Sequence, residues 1–142
     1  MKFLLDTMVV PEWVKARPFP GVVSWLANAD EDCVFVSVVT LAELRYGIER
    51  MSAGARRKRL DGWLRAELPL RFDGRILTID RVVADAWGEM VARREAVGRR
   101  MSVMDAFIAA TAKAYGMTLV TRNTSDFEPS LADMINPWVD TV

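Results

Sequence analysis

The sequence predicts an α/β fold: a single domain over residues 1–142, with a parallel sheet held between two layers of helices in a three-layer α/β/α sandwich. Two observations predict it. Short apolar runs, several rich in β-branched residues, alternate with longer segments whose apolar residues recur every three or four positions. Strands separated by helices in this way form parallel crossovers with helices on both faces. In addition, no internal repeat, linker or low-complexity tract divides the 142 residues, an ordinary length for one domain.

The elements follow in order. Lys2 to Leu5 reads as a short buried strand ending in Asp6-Thr7. Pro11-Glu12-Trp13-Val14 starts a short helix, and Val22, Trp25, Leu26 and Ala29 suit another. Val34 to Val38 is the second strand, after which Leu41, Leu44, Ile48 and Met51 return to helical spacing. Leu60, Trp63, Leu64 and Leu68 mark the next helix, with Pro69 expected to stop it. Arg75 to Ile79 is the third strand. Asp80 is a predicted N-cap for a long helix carrying Val83, Trp87, Met90, Arg94 and Val97 on one face. Met104, Phe107, Ile108, Thr111 and Tyr115 define one more helical face, closed by Gly116 in the left-handed region. Met117 to Val120 follows as a strand, and Met134-Ile135 as a short edge strand.

Composition narrows the function. Half of the residues are apolar, five are tryptophan, and the formal net charge is zero, so the molecule is no indiscriminate polycation. The tryptophans either fill the core or face a partner. The single cysteine, Cys33, has no internal disulfide partner. The first residues lack the form of a signal peptide, and no apolar run reaches the roughly 18 residues of a membrane span, so a cytoplasmic protein is expected. Basic residues cluster in two groups, Arg45 to Arg65 and Arg93 to Arg100. Each is either a phosphate track beside an acidic centre or a solvated helix face.

Four carboxylates stand at the ends of apolar segments: Asp6, Glu43, Asp105 and Asp126. In a parallel sheet, sites collect beyond the carboxyl ends of the strands, and all four acids are expected at that edge. Two ionised carboxylates about 5 Å apart repel by about 3 kcal/mol at an effective dielectric of roughly 20. Four together call for protonation or for a divalent cation. With no histidine in the chain, an oxygen-only site fits Mg²⁺ or Mn²⁺ better than zinc. Such a site suits phosphodiester hydrolysis. Each acid also has a structural reading. Thr40-Leu41-Ala42-Glu43 and Ser102-Val103-Met104-Asp105 have the form of capping boxes, while Asp6 and Asp126 suit a cap and a turn.

Four segments taken together resemble a known family. They are Leu4-Leu5-Asp6-Thr7, Ser37 to Glu49, Asp105 to Ala112, and Thr121-Arg122-Asn123-Thr124-Ser125-Asp126-Phe127, and they resemble the successive motifs of PIN-domain proteins, in particular the VapC- and FitB-type toxins of bacterial toxin–antitoxin pairs. Asn136-Pro137-Trp138 is similar to the ending of the FitB-type branch. The resemblance implies a Mg²⁺- or Mn²⁺-dependent ribonuclease acting on RNA, held inactive by a cognate antitoxin protein and assembled as a homodimer. It places Asp6, Glu43, Asp105 and Asp126 as catalytic, metal-holding acids, with Thr7, Thr121 and Asn123 as hydrogen-bonding support. The pattern departs at Met8, where Asp-Thr-Asn is commoner than Asp-Thr-Met. Two rivals stay open on the residues alone: a PIN-fold binding module without activity, and an aspartyl-nucleophile phosphatase.

Overall fold

The computed structural model describes residues 1–131 and 133–140; Thr141 and Val142, the end of the expected domain, lie outside the described residues. Five parallel strands form one sheet in the order β3-β2-β1-β4-β5. β1 (Phe3–Leu5) lies at the centre, pairing with β2 (Val34–Ser37) on one side and β4 (Thr118–Val120) on the other. β3 (Ile76–Leu77) and β5 (Met134–Ile135) are the edges.

Alternation along these short strands builds two cores. Leu5, Val34, Val36 and Val120 point to one face, against Val22 and Trp25 of α1 (Pro20–Asn28) and Ile48 of α2 (Val38–Glu49). Leu4 and Leu119 point to the other, against Met90 of α5 (Arg81–Ala96) and Ile108, Ala109 and Ala112 of α6 (Val103–Ala114). None of the five tryptophans is exposed: Trp25 and Trp63 are buried, and Trp13, Trp87 and Trp138 are half-buried, so they fill space. Gly21 sits where the chain end crosses α1, and a Cβ there would collide with the Pro137 carbonyl oxygen.

Caps account for several boundaries. Asp80 caps α5, its carboxylate accepting from Val83 N at 2.9 Å. Gly116 adopts φ +62°, and Met117 N donates back to Ala112 O at 2.8 Å, closing α6. The expected strand through Val38 is shorter, because the Ser37 hydroxyl accepts from Val39 N at 3.0 Å and starts α2 at Val38. The third strand is trimmed to Ile76–Leu77, with Gly74 turning the chain at φ +75° and Arg75 spending its guanidinium on the Val34 carbonyl at 2.6 Å.

Pro69 does not stop its helix. α3 (Ala55–Gly62) runs into a wide π turn at Trp63–Glu67 and then into α4 (Leu68–Arg71). Pro69 stands at the start of that last piece, where a missing N–H matters least, and the widened turn before it accommodates the ring. Among the described residues, no helix is long and apolar enough to cross a membrane.

Candidate acidic centre

Parallel strands deliver their carboxyl ends to one edge, and the acids lie along it pairwise, Glu43 and Asp105 acting on Asp6 and Asp126 acting on Asp105. Asp6 follows β1 directly, with its amide bonded to Val120 O at 2.9 Å. Its side chain is only 4% exposed. Both carboxylate oxygens are held: Oδ1 accepts from Thr7 N at 2.8 Å, and Oδ2 from the Thr121 hydroxyl at 2.7 Å. Thr121 is itself buried and follows β4, so a bond across 115 positions of sequence orients the first acid. Asn123 supports it through its backbone, N donating to Thr121 Oγ1 at 3.1 Å.

Glu43 lies in the second turn of α2, and its Oε1 accepts from the Thr7 hydroxyl at 2.6 Å. Thr7 and Thr40 hydroxyl oxygens are 3.2 Å apart. The single Thr7 proton is on the stronger, charged acceptor, so the Thr40 hydroxyl turns its own proton to Thr7. Thr40 is buried and has no place in the sequence reading except as a cap. That cap does not form. Ser37 is the N-cap, Thr40 is inside the helix, and Glu43 reaches Thr7 rather than the Thr40 amide.

Asp105 is in the first turn of α6, where Ser102 Oγ accepts from Asp105 N at 3.1 Å. Half of the expected capping box is therefore present, and Asp105 remains half-buried. Asp126 is exposed, within the four-residue helix α7 (Thr124–Phe127) rather than in an open loop.

The charges act on one another. Burial, above all, raises the Asp6 carboxyl above its ordinary 3.8; the Thr121 and Thr7 hydrogen bonds oppose that, and Asp105 and Glu43 add to it. Asp105 is also raised, first by burial and then by Asp126, with the Ser102 hydrogen bond opposing. A carboxyl raised by folding contributes stability that is fully present below its unfolded pKa and lost as pH climbs through its folded one. Asp105→Asn removes that loss. In chelator, the variant should gain stability relative to the parent as pH rises from 4 to 7, read from urea midpoints. An equal difference at both pH values would contradict the assignment.

The donor set fits a hard divalent cation in kind, since every candidate ligand is a carboxylate and hydroxyls stand behind Asp6 and Glu43. In arrangement it is open: among the described residues, no three acidic, histidine or cysteine side chains close round one point. Mutual repulsion favours that spread. Met8 is exposed at the rim, where Asn123 Nδ2 reaches its sulfur at 3.6 Å. A thioether is a weak acceptor, so Met8 adds little polarity to the site.

The basic residues divide in a way the sequence does not reveal. Arg94, grouped above with a solvated or phosphate-facing cluster, is 7% exposed and faces inward. Its guanidinium donates to Arg99 O at 2.6 Å, Ser130 Oγ at 3.2 Å and Asp126 O at 3.0 Å. It thus ties the short helix bearing Asp126 to the end of α5. Its inward direction follows from position 94 on the apolar face of α5, the one signal that could have found it.

Residues 3–128 match the family model described as "PIN domain". The chain is 36% identical to "VapC ribonuclease Y4jK" of Sinorhizobium fredii over 95% of its own length and 96% of that protein's. It is 34% identical to "Toxin FitB" of Neisseria gonorrhoeae, covering 96% of this chain and 99% of that one. The solved structure of FitAB bound to an IR36 DNA fragment superposes with a TM-score of 0.90 at 32% identity, covering 99% of this chain and 98% of that one.

Proposed function

This chain belongs to the PIN-domain family, and from that premise we propose that it is a ribonuclease toxin of a toxin–antitoxin pair, hydrolysing RNA phosphodiester bonds with Mg²⁺ or Mn²⁺ held by Asp6, Glu43, Asp105 and Asp126. The observation that carries it is the pairing of Asp6 and Glu43 through Thr7, whose amide holds one acid and whose hydroxyl holds the other. Its partners are RNA as substrate, an antitoxin protein as inhibitor and a second copy of the chain, and it works in the cytoplasm where RNA is accessible.

The residues divide the work. Thr121 and the Thr7 amide hold Asp6 in one orientation, so that no rotamer search delays ligation. Thr40 and Thr7 do the same for Glu43. Asp105 brings a third negative charge from the start of α6, and Asp126 a fourth from α7, next to Asp105. A bound divalent cation supplies neutralisation of these acids, acidification of water and stabilisation of charge on the phosphate. In the reaction, water adds to phosphorus, the P–O bond to the leaving oxygen breaks, and that oxygen takes up a proton. A nucleophilic Asp6 fits poorly, because both of its oxygens are already occupied by donors and Met8, two residues on, has no proton to give.

Structured RNA incubated with the purified protein tests the reading. Cleavage should require Mn²⁺ or Mg²⁺, stop on addition of chelator and return with excess metal, with no phosphate released from small esters. Intact RNA under every metal condition would refute it.

A further inference from the structure

We propose that the cleft between α3 and the segment after Trp13 is a binding site for the phosphodiester backbone of single-stranded RNA, with Arg17, Arg56 and Arg59 taking its phosphates. The inference rests on the ribonuclease reading and adds to it the track along which the strand lies. The cleft measures about 510 Å³, and four of its lining residues, Lys15, Arg17, Arg56 and Arg59, are cationic; no carboxylate lines it. An adjoining cleft of about 340 Å³ shares Arg59 and Leu60 with it and ends at Trp63 and Glu67, an acid that bounds the track.

Pairing separates these cations from Arg45, Arg57 and Arg65. The helix α3 carries Arg56-Arg57-Lys58-Arg59 in one run. On one side, Arg57 pairs with Glu49 at 2.9 Å and Asp61 with Arg45 at 2.6 Å and Arg65 at 3.0 Å. Arg56 and Arg59, three positions apart, share the cleft instead. Among the described residues, Arg17, Arg56 and Arg59 enter no ion pair, and all three are exposed. In a chain of zero net charge, three unpaired guanidiniums around one hollow concentrate positive potential that an anion relieves. Guanidinium forks match phosphate oxygens in pairs, as compact ammonium groups do not.

The cleft is also built and placed. Glu12, 2% exposed, accepts from Phe19 N at 2.8 Å and pairs with Lys15, which fastens the segment carrying Arg17. Pro11, on the wall, belongs to the short helical turn Val10–Trp13, which starts from the Asp6 turn through Val9 N to Asp6 O at 3.0 Å. One wall of the hollow is therefore continuous in chain with the loop that presents the first acid. Half-buried Pro11 and Leu60 offer an apolar surface to bases while the exposed arginines face the phosphates.

Two double variants, one within α3 and one spanning α3 and the π turn after it, each losing two positive charges, test the site. Binding of a fluorescent single-stranded oligoribonucleotide is followed by anisotropy in chelator across a salt series, and KM and kcat are measured with Mn²⁺. Arg56→Gln/Arg59→Gln should reduce the slope of log K against log salt by about 1.4 and weaken binding, with KM raised about tenfold and kcat within about twofold. Arg57→Gln/Arg65→Gln should move the slope by less than half as much. Equal effects of the two doubles would overturn the cleft in favour of a diffuse field. Unchanged RNA binding in the first double would overturn it in favour of an acidic protein partner. Should the parent cut no RNA at all, the ribonuclease reading fails, while the anisotropy comparison still decides the cleft.

Discussion

Glu43→Gln is expected to lose RNA cleavage by at least about 100-fold while keeping its fold. The substitution separates two roles of one side chain. As a hydrogen-bond acceptor, Glu43 takes the Thr7 proton at 2.6 Å, and a glutamine carbonyl oxygen can take the same proton. As a charge, it is one of the acids acting on Asp6, and glutamine removes that charge altogether. Metal-free stability should therefore be unchanged or slightly raised, since a like charge beside a buried carboxylate is gone. Burial remains the larger cause of the raised Asp6 carboxyl, so the relief is partial. Cleavage assays with saturating Mn²⁺, beside urea unfolding in chelator, read the two effects separately. Full activity in the variant would remove Glu43 from the reaction and leave it a bracket for Thr7.

What could be read from the sequence was local and periodic. The β1 run, the α5 cap at Asp80 and the α6 stop at Gly116 are each decided within a few residues, and the structure has all three. That Asp6 stands at the carboxyl edge of the sheet followed from strand–helix alternation alone. What could not be read depends on partners far along the chain. Val38 and Val39 are β-branched and pass for strand until the Ser37 hydroxyl claims the Val39 amide. Pro69 passes for a stop because a π turn is invisible to a period of 3.6. Thr40 passes for a cap, yet it backs Thr7 across 33 positions. Arginine runs on one helix cannot be sorted into paired and unpaired faces until the acids opposite, Glu49 and Asp61, have been placed.

Arg94 shows the same limit and has the second large expected effect. Charge marks it as surface, but it is buried with three acceptors and, among the described residues, no carboxylate in ion-pair range. A buried cation held by neutral oxygens stabilises the elements it links through these charge-assisted bonds, and each acceptor it leaves unpaired costs stability. Arg94→Met should cost about 3 kcal/mol, because Arg99 O, Asp126 O and Ser130 Oγ lose a charged donor together. Arg94→Lys keeps the charge but has no fork to reach three acceptors, and should recover less than half of that stability. The effect extends to the site, since the released carbonyl belongs to Asp126. At a temperature where the variants remain folded, the Mn²⁺ concentration for half-maximal cleavage should rise for Arg94→Met and less for Arg94→Lys. A purely structural role would lower the unfolding midpoint and leave the metal requirement where it was. Unchanged urea midpoints together with unchanged metal activation would show that the Asp126 helix is held by something other than Arg94.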